Sequence, residues 1–362
     1  MPDNIRANID PLLMMKERDL EFKSSDGKPS NPCMGLNAFR TGMIFPEARP
    51  RPAASKLEES IRLMYVITGA AGHTGSAIAK RLLAQGKKVR VVGRNTDRLS
   101  SLVSLGAEPF AADISNKEAI TRAFSGAEAA YVMLPPDLAN TDYAAYQYKV
   151  TEAIASALEK EGPAHVVALS SFGADKPGKT GPIAGTHRME ERLKRISGLN
   201  ALYVRAGYFM ENTLPQAGVI QQMGATAGPL NADLKIPMIA TRDIGTFAAE
   251  ELLRLEFRGH QTQELLGQRD LTMTEVTAVI GQAIGRPELQ YRQITYDQFG
   301  GFLTQMGASK RTADLMVEMA EAQNAGHARA LEARSQRNTT PTSYEQFVAE
   351  EFLPIFRASS AG

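Results

Sequence analysis

The sequence predicts an α/β protein with a doubly wound parallel sheet and a smaller C-terminal substrate lobe. Three observations lead to this prediction. A short apolar run at residues 64–68 ends in a glycine-rich turn, and a helical pattern follows it. Strand and helix patterns then alternate as far as residue 212, which is typical of parallel sheets that are covered by helices. Beyond that residue the regular alternation stops.

The chain divides into three predicted segments. Residues 1–63 show no sustained strand or helix period and are rich in turn formers, so one interpretation is a disordered extension. The other interpretation is that the start site is assigned too early and that Met64 is the natural initiator. Residues 64–212 are predicted to form the nucleotide-binding domain and residues 213–362 the substrate lobe, with residues 236–270 returning to the first domain.

The bulk composition argues against several classes of protein. The 41 basic and 40 acidic residues nearly cancel, so nothing indicates binding to nucleic acid or to a membrane surface. The apolar stretches fall short of the ~20 residues that a membrane-spanning helix needs. One cysteine excludes an intrachain disulfide, and five scattered histidines argue against a zinc site. We expect a cytoplasmic protein without a metal.

The first strand is followed by a Gly-x-x-Gly-x-x-Gly turn, with a helix predicted from Ser76. Gly69 permits a tight exit from the strand, Gly72 removes a Cβ where backbone approaches pyrophosphate, and Gly75 lets the helix pack closely on the sheet. The helix N-terminus offers free N–H groups and the positive end of its dipole to phosphates. We therefore predict a Rossmann-type dinucleotide site. Its turn residues are Gly69, Ala71, Gly72, His73, Thr74 and Gly75.

The end of the second strand indicates which dinucleotide is bound. Arg94 lies 19 residues after Gly75, close to where NAD-specific folds place an acid on the ribose 2′-hydroxyl. An arginine there supplies a charged planar fork that suits a 2′-phosphate. We predict NADP(H), with Arg94 and Asn95 as contacts. The alternative is that Arg94 is a solvated loop residue.

Further cofactor contacts are expected where later strands end, because ligands bind at the carboxyl edge of open α/β sheets. Asp113 and Ile114 end the third strand, where an acid can accept a hydrogen bond from the adenine amino group. The fourth and fifth strands end at Leu134, Pro135, Ser170 and Ser171. Ser170 and Ser171 either face the ligand or only cap the strand end, and Phe172 beside them is a candidate substrate contact.

Several motifs together resemble the NmrA-like branch of the atypical short-chain dehydrogenases. They are residues 66–75, 91–95, 106–108 leading to 112–113, 187–193, 203–212 and 236–245. The resemblance covers residues 64 to about 290, with weaker similarity at residues 340–347. This family includes NADPH-dependent quinone and azo-dye reductases, reductases of plant phenolic ethers, and cofactor-sensing proteins with little or no activity.

The resemblance assigns roles to the residues that follow the sixth strand. It implies that residues 206–209 contact the nicotinamide side of the cofactor, Tyr208 among them. Phe209 and Asn212, together with Tyr208, would line the substrate cleft. The alternative is that Tyr208 and Phe209 are ordinary core aromatics.

The catalytic group is less clearly indicated. Ordinary short-chain dehydrogenases use a Tyr-x-x-x-Lys pair, and no tyrosine in this chain has a lysine four residues later. By the resemblance, His187 stands where the phenolic-ether reductases place a lysine. Its imidazole, with a usual pKa near ~6.5, is a candidate proton donor, and Glu191 lies one turn on. The alternative is that His187 serves only to order the amide group of the cofactor.

In the C-terminal part, residues 213–235 are expected to be loop-rich. Thr272 is predicted to cap a helix, with Glu275 three residues later. That helix is predicted to continue over residues 277–284, and further helices are predicted at residues 311–334 and 344–356. Met316 and Met319 are expected to fill the small lobe, because methionine packs irregular gaps.

Two functions follow from these residues. The first is an NADPH-dependent oxidoreductase that acts on a quinone-like or other electron-poor small molecule. The second is a redox-sensing regulator that binds NADP(H) and acts through a protein partner without turnover. The missing Tyr-x-x-x-Lys pair favours the second function, and the aromatic cleft favours the first. A homodimer is a further possibility in either case.

Overall fold

The computed structural model describes residues 64–360. The two interpretations of residues 1–63 concern residues outside this range. The strands, in chain order, are β1 (Met64–Thr68), β2 (Lys88–Gly93), β3 (Glu108–Ala111), β4 (Ala127–Val132), β5 (His165–Ser171), β6 (Asn200–Ala206), β7 (Tyr208–Phe209), β8 (Thr226–Gly228), β9 (Ile236–Ile239), β10 (His260–Leu265), β11 (Arg269–Leu271) and β12 (Tyr291–Gln293).

The α-helices connect these strands and complete the C-terminal part. They are α1 (His73–Ala84), α2 (Ser100–Val103), α3 (Lys117–Phe124), α4 (Tyr143–Glu161), α5 (Ile183–Leu193), α6 (Gln216–Met223), α7 (Thr241–Arg254), α8 (Met273–Ala283), α9 (Tyr296–Gln305), α10 (Lys310–Asn324), α11 (Tyr344–Phe347) and α12 (Leu353–Ser360). A π-helical turn (Val348–Phe352) joins the last two, and 3₁₀ turns lie at Asp97–Leu99 and Met210–Thr213.

Seven strands form one sheet in the order β10-β6-β5-β4-β1-β2-β3. All neighbouring strands in this sheet are parallel. The chain builds β1, β2 and β3 toward one edge and then returns to add β4, β5 and β6 on the other side of β1. This reversal leaves a crevice at the carboxyl ends of β1 and β4, where ligands bind in such sheets. The predicted fold class is confirmed.

The central strand β1 is buried on both faces because helices cover both sides of the sheet. Tyr65 and Ile67 pack into a cluster with apolar residues of α1 and α7. Val66 faces the opposite cluster, which α3, α4 and α5 complete. Since successive side chains of a strand point to opposite faces, a strand covered on both sides must be apolar throughout.

The C-terminal part adds two small sheets and a third hydrophobic cluster. β11, β9 and β7 form one sheet, and β12 pairs with β8. Helix α7 and strand β10 return to the large sheet, where β10 forms the edge beside β6. The predicted cap of α8 is confirmed: the Thr272 hydroxyl accepts a hydrogen bond from the Glu275 amide at 3.1 Å, and the Glu275 carboxylate accepts one from the Thr272 amide at 2.8 Å.

The sequence prediction was wrong at several element boundaries. Residues 213–235 are not mainly loop, because α6 buries Ala217 and Ile220 in the third cluster and β8 follows. The helix predicted at residues 311–334 ends at Asn324. Beyond Asn324 the chain is anchored by Glu264. The carboxylate of Glu264 accepts hydrogen bonds from the amides of Leu331 and Glu332.

Candidate active site

The glycine turn has the geometry that a phosphate group requires. Gly69 adopts a φ of +62°, in the left-handed region that favours glycine. A Cβ on Gly75 would lie 2.5 Å from the carbonyl oxygen of Gly69, so any side chain there would push the helix away from the turn. No side chain caps Gly72 at the start of α1, which leaves the first-turn N–H groups for a ligand. These residues fit a bound pyrophosphate.

The other residues of the turn have different environments. His73 is the first residue of α1 and is exposed, whereas Thr74 is buried beneath the turn. Ala71 packs partly against the cluster around β1. The helix begins at His73, three residues earlier than predicted from Ser76. Its N-terminus is therefore closer to the turn than the sequence indicated.

At the end of β2, Arg94 and Asn95 are both exposed in the crevice loop. The Asn95 side chain accepts a hydrogen bond from the Asp97 amide at 2.8 Å. Arg94 lies within electrostatic range of Asp113 at the end of β3. Burial alone would raise the pKa of Asp113, but hydrogen bonds from Ser115 and the charge of Arg94 outweigh it and lower the pKa. The structure thus brings these predicted adenosine-side residues to one edge of the sheet.

Three further predicted contacts differ in exposure. Ile114 is buried and packs in the cluster with α3 and α4, so its side chain belongs to the core. Leu134 and Pro135 are half-buried in the loop that follows β4. That loop lies at the carboxyl edge, beside the glycine turn that follows the adjacent strand β1.

The end of β5 is held by a buried polar network. The Ser170 hydroxyl donates to the Glu190 carboxylate at 2.6 Å, and Arg205 of β6 pairs with the same carboxylate at 2.7 Å. Glu190 is only 1% exposed in its side chain. The Ser171 hydroxyl donates to the Phe172 carbonyl oxygen at 3.0 Å. Both serine hydroxyls therefore already have protein acceptors that fix the strand end.

His187 lies in α5 and is half-buried. Its Nδ1 is 2.8 Å from the carbonyl oxygen of Ala174, in the segment that follows β5. Because a carbonyl only accepts hydrogen bonds, Nδ1 carries a proton and Nε2 is the nitrogen left for a ligand. Glu191 pairs with Lys194 at 2.8 Å, and that hydrogen bond lowers the pKa of Glu191. His187 and Glu191, which the sequence places one turn apart on α5, thus have separate partners.

A large cavity opens beside the carboxyl end of β6. Its volume is about 770 Å³, within the usual range for small-molecule sites. Tyr208 and Asn212 line it, and burial raises the pKa of Tyr208 to about 12. Phe172 and Phe209 pack against hydrophobic clusters and, like His187, are not among the described residues that line the cavity.

The rest of the lining comes from the C-terminal lobe. Helices α6, α8, α9 and α10 contribute, and Met316 and Met319 are part of it, in keeping with the gap-filling role expected of them. Sequence reasoning missed the aromatic residues Phe299 and Phe302 of α9. No residue of this helix is fully buried. Its apolar spacing in the sequence indicates an amphipathic helix, but not that the apolar face covers a cavity.

Glu211 was also missed as a functional residue. It follows β7 and lines the cavity, and its Oε1 accepts hydrogen bonds from the amide and hydroxyl of Thr241 at 2.8 and 2.5 Å. Its Oε2 is buried without a hydrogen-bond partner. Burial, and then the charge of Glu211, raise the pKa of Glu351, which also lies within electrostatic range of His73 and of Arg242. Glu351 is therefore coupled electrostatically to His73 of the glycine turn and to Glu211 of the cavity wall.

The described residues show neither a cluster of metal ligands nor a membrane-spanning helix. Residues 64–360 contain no group of three or more His, Cys, Asp or Glu side chains that could hold a metal ion. In the same part of the chain, no helix has both the length and the apolar character needed to cross a membrane.

Several known proteins are similar to this chain in sequence or in structure. An NAD(P)H azoreductase from Xenophilus azovorans is 28% identical over 262 residues, which cover 71% of this chain and 86% of the relative. Among solved structures, the NADPH-dependent quinone oxidoreductase QOR2 from Escherichia coli, complexed with NADPH, is 19% identical. It superposes with a TM-score of 0.63 over 82% of this chain and 99% of its own.

A regulator has the same fold. Nmra, a negative transcriptional regulator crystallised in complex with NAD, is 16% identical and superposes with a TM-score of 0.58, covering 83% of this chain and 98% of its own. The sequence model of the NmrA-like family matches residues 64–353, which is most of the chain and extends well beyond the glycine turn. The chain therefore belongs to the NmrA-like family, as its motifs predicted.

Proposed function

We propose that this protein is an NADPH-dependent reductase that transfers a hydride to a quinone-like or other electron-poor small molecule. The predicted NADP(H) cofactor and reductase activity are confirmed at the level of the named relatives, among them the azoreductase. The acceptor, and the role of each residue of this chain, are our proposal.

When bound, NADPH supplies the hydride, so the residues of this chain have to bind and orient it. The free amides at the start of α1 hold the pyrophosphate, and Arg94 holds the 2′-phosphate. Ser170 and Arg205 keep the end of β5 in place through Glu190. Tyr208 and Asn212 position the acceptor in the cavity, where apolar walls exclude water.

One observation carries this proposal: the start of helix α7 contacts both the glycine turn and the cavity wall. The Thr241 amide donates to Glu211 of the wall at 2.8 Å, and a Cβ on Gly245, one turn later, would lie 3.1 Å from the Thr74 carbonyl oxygen. The phosphate-binding turn and the cavity therefore lie at the same end of α7. An acceptor in the cavity is within reach of a nicotinamide ring whose pyrophosphate lies on α1. Such proximity is the main requirement for hydride transfer.

The test is NADPH oxidation by the full-length protein with a panel of quinones and azo dyes. Arg94→Glu is compared with Arg98→Glu, an exposed arginine four residues further on for which no side-chain partner is described. We expect turnover by the wild type and by Arg98→Glu, with NADPH affinity reduced about 10- to 100-fold in Arg94→Glu because a charge-assisted contact is replaced by repulsion. An unchanged preference for NADPH in Arg94→Glu would contradict the role of Arg94.

The absence of a Tyr-x-x-x-Lys pair favours a second candidate, a non-catalytic NADP(H)-binding regulator. The position of His187 outside the cavity lining points the same way. Tight NADPH binding with no turnover of any compound on the panel would replace the reductase by this regulator. The next experiment would then be a search for a protein partner.

A further inference from the structure

We propose that helix α9 is a lid over the cavity, which opens by local unfolding and is held closed when the cofactor binds. The inference rests on the proposed binding of NADPH at the glycine turn and adds a conformational step to it. Phe299, Phe302 and Leu303 of α9 line the cavity, yet no residue of this helix is fully buried. The helix therefore covers the cavity without being part of the core.

The middle of α9 contains two adjacent glycines, Gly300 and Gly301, and neither has a positive φ. A Cβ on Gly301 would meet no heavy atom within 4 Å, and one on Gly300 would lie 3.5 Å from Cγ2 of Val317, an ordinary contact distance. Neither the backbone conformation nor the packing thus requires glycine at these positions. The pair lowers the stability of the helix, since only proline is a weaker helix former than glycine.

Little apolar burial opposes the opening of this helix. Leu138 in the loop after β4, and Phe302 and Met306 on the side of α9, line the same cavity. They remain 42%, 38% and 48% exposed, respectively. Because the hydrophobic contribution scales with the apolar area removed from water, these contacts hold α9 only weakly against the rim.

Both ends of α9 are fixed, in contrast to its middle. At its start, the Tyr296 hydroxyl accepts a hydrogen bond from the Asn324 side chain at 2.8 Å. Beyond its end, the Ser309 amide donates to the Leu138 carbonyl oxygen at 2.8 Å. A helix that is anchored at both ends and weak in the middle can open locally while the surrounding fold stays intact.

The second anchor is part of a braced loop. Asn140 lies between β4 and α4, and its carbonyl oxygen accepts hydrogen bonds from the hydroxyls of Ser309 and Thr312 at 2.5 and 2.9 Å. The Asn140 side chain donates to the Asp137 carboxylate at 3.1 Å and accepts from the Asp142 amide at 3.0 Å. These bonds join the second half of the loop to the start of α10, which directly follows the lid.

The first half of the same loop reaches the glycine turn. Met133 directly follows β4, and a Cβ on Gly69 would lie 2.9 Å from its sulfur. Leu134 and Pro135, the predicted cofactor contacts, come next. A dinucleotide on the turn fixes this half of the loop, and the braced half passes the constraint to α10 and α9. The cofactor thus binds more tightly to the closed form, as a ligand-driven change requires.

The experiment measures amide hydrogen exchange of the full-length protein by mass spectrometry, without and with NADP⁺, which carries no hydride to transfer. Exchange in α9 reports the opening of the lid, and exchange at the start of α1 reports binding of the cofactor. We expect NADP⁺ to slow exchange at both places, by about fivefold or more in α9. Slower exchange at α1 alone would overturn the inference and leave the cofactor site intact. No change at α1 would contradict the proposed cofactor site itself.

Ser309→Ala combined with Thr312→Val removes both hydroxyl donors to Asn140. The matched control is Ser343→Ala combined with Thr151→Val, which likewise removes one helix cap and one buried hydroxyl donor. In the first double variant we expect NADP⁺ to slow exchange in α9 by less than about twofold, with its affinity and its effect on α1 retained. The control should respond as wild type. A full response of α9 in the first double variant would show that this loop does not connect the two sites.

A second pair of variants tests the weak middle of the helix. Gly301→Ala places a methyl group in open space, and Gly218→Ala does the same in α6, which also lines the cavity. We expect Gly301→Ala to slow exchange in α9 about fivefold without cofactor, as the helix propensities of the two residues predict. Gly218→Ala should leave α9 unchanged. Unchanged exchange of α9 in Gly301→Ala would show that the lid does not open by unfolding of this helix.

Discussion

The glycine turn presents backbone amides to the crevice, whereas the cavity is lined by side chains. The turn leaves no room for even one Cβ at Gly75, since that atom would lie 2.5 Å from a carbonyl oxygen. The cavity is lined by flexible methionines and by α9, in which no residue is fully buried. If the turn holds the cofactor and the cavity holds the acceptor, as we propose, the cofactor half of the site tolerates little change and the acceptor half tolerates much.

The largest expected effect concerns the polar network beneath the crevice. Arg205→Met leaves Glu190 as a buried carboxylate without its cation, and we expect a loss of about 3–5 kcal/mol in the free energy of unfolding, measured by urea denaturation. The matched control is Arg81→Met, which breaks the exposed pair with Glu250 and should cost at most about 1 kcal/mol. Similar losses in the two variants would show that the crevice does not depend on its buried charges.

The next effect tests the glycine turn itself. Gly75→Ala forces the start of α1 away from Gly69, at a cost of about 1–3 kcal/mol, which corresponds to about 5- to 150-fold weaker NADPH binding if the shift falls on the binding site. Gly218→Ala in α6 is the control, because a Cβ there meets no heavy atom within 4 Å. Isothermal titration calorimetry measures the NADPH affinity of both variants. Wild-type affinity in Gly75→Ala would mean that the turn adapts as readily as the cavity.

A smaller effect is expected where the two regions meet. Burial and Glu211 raise the pKa of Glu351, so its carboxylate destabilises the folded protein at a pH above that pKa. Glu351→Gln should therefore raise the free energy of unfolding by less than about 1 kcal/mol at neutral pH. The gain should vanish as the pH falls below the ordinary glutamate value of 4.5, where the carboxyl is protonated in both states.

Glu350→Gln is the control for this change. Hydrogen bonds from Gln346 and Arg242 lower the pKa of Glu350, so the charged form is favoured in the folded state and no gain is expected at neutral pH. Thermal unfolding at several pH values compares the two variants. If both variants gain stability, the effect comes from negative charge on this helix in general. Glu351 then has no special role between the glycine turn and the cavity.

The smallest effect is predicted for His187. Glutamine can still donate to the Ala174 carbonyl, and the imidazole is not among the described residues of the cavity wall, so kcat/KM for menadione should change less than about threefold in His187→Gln. His260→Gln, at the amino end of β10, is the control. A loss of about 100-fold, with the acidic limb of the pH profile removed, would instead identify His187 as the proton donor.

Residues that act locally could be predicted from the sequence. The spacing of Gly69, Gly72 and Gly75 after an apolar strand determined the turn, because strand, turn and helix are contiguous and each glycine answers a local backbone requirement. The cap formed by Thr272 and Glu275 was predicted for the same reason. Arg94 and Asp113 could be placed at one edge because parallel strands bring their carboxyl ends together.

Only the tertiary structure decided the rest. The environment of Glu211, with one oxygen bonded to Thr241 and the other unpartnered, depends on elements 30 residues apart. The partnership of Ser170, Glu190 and Arg205 depends on how α5 packs against β5 and β6. The cavity likewise assembles residues from α6 through α10, and no local pattern records which apolar residues of a helix face a ligand and which face the core. By itself the sequence determined the fold and the geometry of the glycine turn, and packing between distant segments decided the charge and shape of the cavity.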